Sequence, residues 1–291
     1  MAKNIVIGGA GFLGSHLVDR LTGGGESVVV VDNLTTGRLS NLEDAITLGR
    51  ATFVYADVRN HTGELSDIVG STGMKKVDVI YTFVPPDAPQ PTADPHREAV
   101  DPVLRPLIEM AVDRKARLVV STAPKPDAAE REMELALAAA VCDRGLDARI
   151  VRLPNCYGPR ARNGDPLIAA LLEAAVQRRA LPLEHAEQAS EAFYVADAVS
   201  CLRKVARRDQ SRLPSVEIVN GDERSVTEIA RMVARTAGLD FDAHYPAGRP
   251  ELPQRRASEQ RATCAASPVT PLEHGLRYTY DWLVNQDQLF V

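Results

Sequence analysis

The sequence predicts an α/β protein whose core is a doubly wound parallel sheet, with a smaller lobe from the C-terminal part of the chain. Three observations carry that prediction. Short runs rich in Val and Ile alternate with helix-forming stretches up to Pro154. These runs are apolar throughout, as expected of strands covered on both faces. The first run also leads directly into a glycine cluster and then a helical stretch.

In chain order, the strands are expected at Asn4–Ile7, Ser27–Val31, Thr52–Tyr55, Val77–Thr82, Arg117–Ser121 and Ala148–Leu153. Helices are expected between them at Phe12–Leu21, His96–Val112 and Ala128–Cys142. After Pro154 the rhythm weakens, and a further strand at Val216–Val219 and a helix at Thr227–Ala237 follow. This pattern assigns residues 1–154 and 190–222 to the sheet domain, and 155–189 and 223–291 to the lobe. A ligand is expected at the carboxyl ends of the strands.

Composition excludes several classes. A chain of 291 residues can bury a full core without disulfides. The net charge is −5, and no Lys/Arg-rich run exists, so no nucleic-acid partner is expected. No apolar run is long enough to span a membrane, and the opening MAKNIVIGG lacks the form of a signal peptide. Cys142, Cys156, Cys201 and Cys264 form no CxxC pair, and the six histidines form no HExxH. Free thiols, a cytoplasmic location and no metal are the expectation.

The glycine cluster reads Gly8-Gly9-Ala10-Gly11-Phe12-Leu13-Gly14, so glycines 8, 11 and 14 follow a GxxGxxG spacing between strand and helix. Gly8 suits a tight turn, Gly11 a close approach of backbone to a pyrophosphate, and Gly14 tight helix-on-strand packing. The helix N-terminus then faces the phosphates. The second strand ends in Asp32, which can accept both ribose hydroxyls of an adenosine and would repel a 2′-phosphate. This is a Rossmann-type arrangement, and the cofactor expected is NAD rather than NADP.

Several further stretches resemble the NAD-dependent epimerase/dehydratase family of extended short-chain dehydrogenase/reductases: VVDNLTTGR, FVYADVRN, RLPNCYGPR, EAFYVADAV and PLEHGLRYTYDWL. The resemblance implies cofactor contacts from Phe12, Leu13, Asp32, Asn33, Thr36, Asp57, Val58, Phe83 and Val84. It places Asn155, Tyr157 and His185 in the substrate lobe. It also implies a homodimer built on the helices His96–Val112 and Ala128–Cys142, with Val103, Leu107, Ile108, Met133, Leu137 and Val141 as apolar positions.

Members of the family use a Ser/Thr, a Tyr and a Lys, because an unperturbed phenol is a poor base at neutral pH without a neighbouring positive charge. Aligned on GLDARIVRLPNCYGP, those positions fall on Ala123, Pro126 and Glu130, and no Tyr occurs between Tyr81 and Tyr157. The remaining candidates for chemistry are Thr122, Lys125, Glu130 and Tyr157. Two of them have a plainer role available, Glu130 at a helix start and Lys125 in a solvated loop; of two further residues weighed for chemistry, His185 suits a surface and Cys156 a buried inert thiol. The family's diphosphate-holding Arg aligns with Ser190. Three readings follow. One is an enzyme acting on a small polar metabolite, such as a sugar derivative or biosynthetic intermediate, without the triad. Another is a non-catalytic NAD-binding protein with a structural, sensing or partner-binding role. The third is a structural partner of an active relative.

Overall fold

The computed structural model describes residues 2–59, 65–84, 103–123, 126–161, 166–179, 189–208, 215–218, 222–241 and 269–288. The chain divides into two compact units, residues 1–153 with 199–217 and residues 154–198 with 218–291.

The first unit holds a seven-stranded sheet. Its strands are β1 (Lys3–Ile7), β2 (Ser27–Asp32), β3 (Ala51–Tyr55), β4 (Val79–Thr82), β5 (Arg117–Thr122), β6 (Ala148–Arg152) and, later in the chain, β10 (Ser215–Glu217). They lie in the order β10-β6-β5-β4-β1-β2-β3, every pair parallel. From β1 the chain winds outward to β2 and β3, then returns to β4 on the other side, so the strand order reverses at β1 and β4. The helices are α1 (Phe12–Gly23), α2 (Glu43–Thr47), α3 (Leu65–Ser71), α4 (Leu104–Arg114) and α5 (Ala128–Arg144). Ile5, Ile7, Val29, Val31, Leu118 and Val120 point to one face, into a core completed by α3, α4 and α5.

Local chemistry sets the helix ends. The start of α5 is a capping box between Asp127 and Glu130, and Gly145 ends it with φ 66°. Helix α4 begins at Leu104, later than the expected His96 start, and residues 96–102 lie outside the described ones. Pro106 then falls in the first turn, where its missing N–H costs no helical hydrogen bond.

The second unit contains β7 (Cys156–Tyr157), paired parallel with β9 (Phe193–Tyr194), and β8 (Ala189–Glu191), paired antiparallel with β11 (Glu223–Ser225). Helices α6 (Pro166–Val176), α8 (Val226–Ala237) and α9 (Leu272–Gln288) enclose a core that includes Ile168, Leu171, Leu172, Ile229, Val233 and Leu276. Helix α8 opens with a second capping box, Ser225 and Glu228. The Ser225 backbone N–H holds the Glu228 carboxyl below its ordinary range, against the opposing effect of burial. Helix α7 (Val195–Arg207) starts in this unit and continues in the first.

The structure corrects the expected boundaries at two points. Residues 154, 190–198 and 218–222 go with the second unit; within it β8 pairs with β11 and β9 with β7. The strand expected at Val216–Val219 spans Ser215–Glu217, where it hydrogen-bonds to β6.

Candidate functional site

The glycine turn is shaped by space that side chains would fill. Gly8 has φ 72°, in the left-handed region. A Cβ on Gly14 would lie 2.2 Å from the Gly8 carbonyl oxygen and 2.7 Å from the Gly9 Cα. A Cβ on Gly11 would meet only the Gly8 carbonyl oxygen, at 3.3 Å, so its other side is open. Gly11 is the N-cap of α1; it offers no side-chain cap, and the first turn carries no acidic residue. The N-terminal N–H groups and the positive end of the helix dipole are therefore left for an anion. Phe12 and Leu13, half-buried, form that first turn. Phe83 and Val84, after β4, come against the same loop: a Cβ on Gly8 would lie 3.4 Å from Val84 Cγ2 and 3.6 Å from Phe83 Cβ.

The acid at the end of β2 is held from two sides. Asp32 is 7 % exposed. Its Oδ2 accepts the Ala10 N–H at 2.9 Å and its Oδ1 accepts the Leu34 N–H at 2.7 Å, which leaves each oxygen a second lone pair. Two residues that sequence reasoning missed complete this geometry. Leu34 takes a left-handed φ of 57°. A Cβ on Gly37 would lie 2.9 Å from the Ala10 carbonyl carbon and 3.0 Å from Asp32 Oδ1. The Thr-Gly pair in VVDNLTTGR was the available signal. Asn33 Nδ2 donates to Asp57 Oδ2 at 2.9 Å, which brings those two predicted residues together. Thr36 is exposed. Val58 has its side chain in the core, so only its backbone can face a ligand. This cradle has the groups that a dinucleotide needs: N–H donors at an uncapped helix end for a pyrophosphate and an oriented carboxylate acceptor for ribose hydroxyls.

The end of β5 is closed rather than open. Glu130 Oε1 accepts the Ala123 N–H at 2.9 Å, and its Oε2 accepts the Asp127 N–H at 3.1 Å. Asp127 Oδ1 in turn accepts the Glu130 N–H at 2.8 Å. The carboxylate of Glu130 is folded back on the β5–α5 loop and binds two backbone donors. The three expected catalytic positions thus present a methyl, a pyrrolidine ring and a hydrogen-bonded carboxylate. Ser121 Oγ donates to the Thr82 carbonyl at 3.1 Å. Thr122 is buried, and strand alternation puts it on the face of Leu118 and Val120, toward the core. Its Oγ1 has no hydrogen-bond partner among the described residues. Lys125 lies outside the described residues.

In the second unit Asn155 is exposed, and its carbonyl accepts the Phe193 N–H. Tyr157 is buried, and its hydroxyl donates to the Leu272 carbonyl at 3.4 Å. A Cβ on Gly275 would lie 2.2 Å from that hydroxyl, so α9 packs directly on it. Its ring leans on Tyr194 with centroids 5.6 Å apart. Burial first, then the nearby Tyr194, Asp197 and Asp222, push the phenol of Tyr157 far above its ordinary value. A phenol held neutral under a helix is a packing element and a poor general base. His185 lies outside the described residues.

A doubly wound sheet with a glycine turn after β1 and an acid after β2 defines a Rossmann-type protein. Comparison with known proteins refines this. Residues 4–105 match the model of the NAD dependent epimerase/dehydratase family. UDP-glucuronic acid decarboxylase 1 of Xenopus tropicalis is 26 % identical over 94 % of this chain and 70 % of its own length. UDP-N-acetyl-alpha-D-glucosaminuronate decarboxylase of Bacillus cytotoxicus is 25 % identical over 96 % of both chains. Among solved structures, dTDP-glucose 4,6-dehydratase of Bacillus anthracis, in complex with NAD, superposes with a TM-score of 0.77. That match has 18 % identity and covers 99 % of this chain and 98 % of the other. The resemblance to this family read from the sequence is borne out: by the family model over the first strands, and by relatives along nearly the whole chain.

Proposed function

We propose that the first unit binds NAD and that the protein takes a small polar metabolite of the sugar-nucleotide type, working without the family's Ser-Tyr-Lys triad. The observation that carries this reading is the pairing of an uncapped α1 N-terminus behind Gly8, Gly11 and Gly14 with the buried, oriented carboxylate of Asp32. The α1 turn, with Phe12 and Leu13, holds the pyrophosphate. Asp32 holds the adenosine ribose, Asn33, Thr36, Asp57 and the backbone of Val58 surround the adenine, and Phe83 and Val84 flank the glycine turn. NAD supplies hydride-accepting capacity when bound. Asn155 and its neighbours in the second unit take the sugar portion, as the likeness to sugar-nucleotide decarboxylases and epimerases suggests.

One observation favours the second reading, a binding protein that holds NAD without turnover. Glu130 spends both carboxylate oxygens on backbone N–H groups, and no phenol or amine replaces the missing pair among the described residues. Calorimetry with NAD and NADP, followed by turnover assays on nucleotide sugars, tests both readings. Failure to bind NAD removes the first claim. Turnover by the purified protein removes the second.

A further inference from the structure

The two helix N-termini at the carboxyl edge of the sheet differ in one respect that bears on the cofactor. Helix α1 begins uncapped and without acid, whereas α5 begins with two carboxylates that cap it. The dinucleotide's two halves divide at the switch point, one over β1 and β2 and the other over β4 and β5. The nicotinamide half would therefore fall on the side where β5 ends at Thr122, one residue before Ala123.

The charge at that end is fixed in place. Glu130 is tied by Oε1 to the Ala123 N–H and by Oε2 to the Asp127 N–H, so it cannot swing into solvent without breaking both bonds. Asp127 adds a second carboxylate, tied to the Glu130 N–H. Arg131 follows, with its guanidinium on the Pro126 carbonyl at 2.5 Å, and offsets one of the two charges. Arg152 on β6 is neutralised by Glu134 through contacts of 2.8 and 3.0 Å. Among the described residues the balance at the end of β5 is one net negative charge; Lys125, in the same loop, lies outside them. Oxidised nicotinamide is a cation and reduced nicotinamide is neutral, so a fixed negative charge distinguishes them.

We propose that Glu130 makes the site select the oxidised cofactor, so that the protein holds NAD⁺ in preference to NADH. The inference rests on the reading that the first unit binds NAD. One net charge within several ångströms of the ring, partly screened by solvent, would be worth about tenfold in affinity. By linkage, the bound couple would be about 30 mV harder to reduce than the free one. Glu130 acts here as a positioning and electrostatic residue; no proton or hydride passes through it.

The test is titration of NAD⁺ and NADH against the wild type, Glu130→Gln and Glu132→Gln, with thermal melts of each. Gln can keep the capping-box bond to the Asp127 N–H through its one amide oxygen but loses the bond to the Ala123 N–H, and the melts read how much of the loop's stability that bond carries. The expected result is a wild-type preference for NAD⁺ of about tenfold, narrowed several-fold in Glu130→Gln and unchanged in Glu132→Gln, whose carboxylate sits on the exposed face of α5. A wild type that binds both forms equally or prefers NADH overturns the proposal, whatever the variants do. An equal shift in both variants also overturns it, since the charge at residue 130 would then be nothing special. A wild type that binds neither form is a different result, because it removes the NAD reading itself.

Discussion

The carboxylate of Asp32 and the backbone N–H of Ala10 are 2.9 Å apart, joining the end of the second strand to the glycine turn. The same carboxylate is the group proposed to hold a ribose, so cofactor choice and local stability would be linked at one residue. Asp32→Ala is expected to weaken NAD binding at least tenfold, since hydrogen bonds to a charged group contribute roughly 1.5–3 kcal/mol. It should also narrow the preference over NADP and lower the melting temperature. Equal wild-type affinity for NAD and NADP in calorimetry would count against the assignment.

Ala123, Pro126 and Glu130, the positions that the resemblance assigns to the family's catalytic residues, offer no hydroxyl, phenol or amine. Purified protein is therefore expected to show no epimerase or dehydratase turnover on common UDP- or dTDP-sugars. Sustained turnover at a rate proportional to enzyme, and lost with Asp32→Ala, would refute this.

Close packing at glycine gives a graded set of substitutions. Gly14→Ala places a methyl 2.2 Å from the Gly8 carbonyl oxygen, and Gly275→Ala places one 2.2 Å from the Tyr157 hydroxyl. Each is expected to cost on the order of 2–3 kcal/mol, the first with loss of NAD binding. At Gly23, the last residue of α1, a Cβ meets nothing within 4 Å. Gly23→Ala should instead stabilise by up to about 1 kcal/mol. Chemical denaturation of the three variants checks the order.

Glu26 accepts hydrogen bonds from Asn4 at 3.0 Å, from Arg203 at 2.7 Å and from Arg207 at 2.6 Å. Burial pushes its carboxyl up. The bonds from Arg203 and Asn4 and the charges of Arg207 and Arg203 outweigh that and leave it below the ordinary 4.5. The stability it contributes is full above pH 4.5 and lost as pH falls through the lower folded value. Glu26→Gln should cost roughly 1–3 kcal/mol at pH 7, and the deficit should shrink as acid protonates the wild type. A deficit that stays constant from pH 7 to pH 3 would show that the loss is one of packing.

A homodimer through α4 and α5 is also expected, but on different residues from those the sequence suggests. Val103, Leu107, Ile108, Met133 and Leu137 face the unit's own core, and Val141 packs against it. The apolar residues left outside on α5 include Leu135, 72 % exposed, with Ala139 and Cys142. Light scattering should give a dimer at micromolar concentration, and Leu135→Glu should give a monomer. A monomeric wild type ends this expectation.

Much of this protein is determined by its sequence alone. Strands such as SVVVVD and the glycine turn are legible because each depends on residues a few positions apart. The same is true of both capping boxes, Asp127 with Glu130 and Ser225 with Glu228. The tertiary structure decided what those residues face. Period and propensity say that Glu130 caps a helix; only the placement of β5 beside that helix brings its second oxygen to Ala123. Arg149 reads as an interruption in a strand, yet it is buried with its charge met by Asp147, and the Arg208 carbonyl comes from 59 residues away. Gly37 reads as a turn, and its need for space comes from Ala10 in the glycine turn and Asp32 at the end of β2. Glu26 finds Arg203 across 177 residues. Hydrogen bonds within one turn are set by local sequence, whereas partners across a sheet are set by strand order, which no short stretch of the chain encodes.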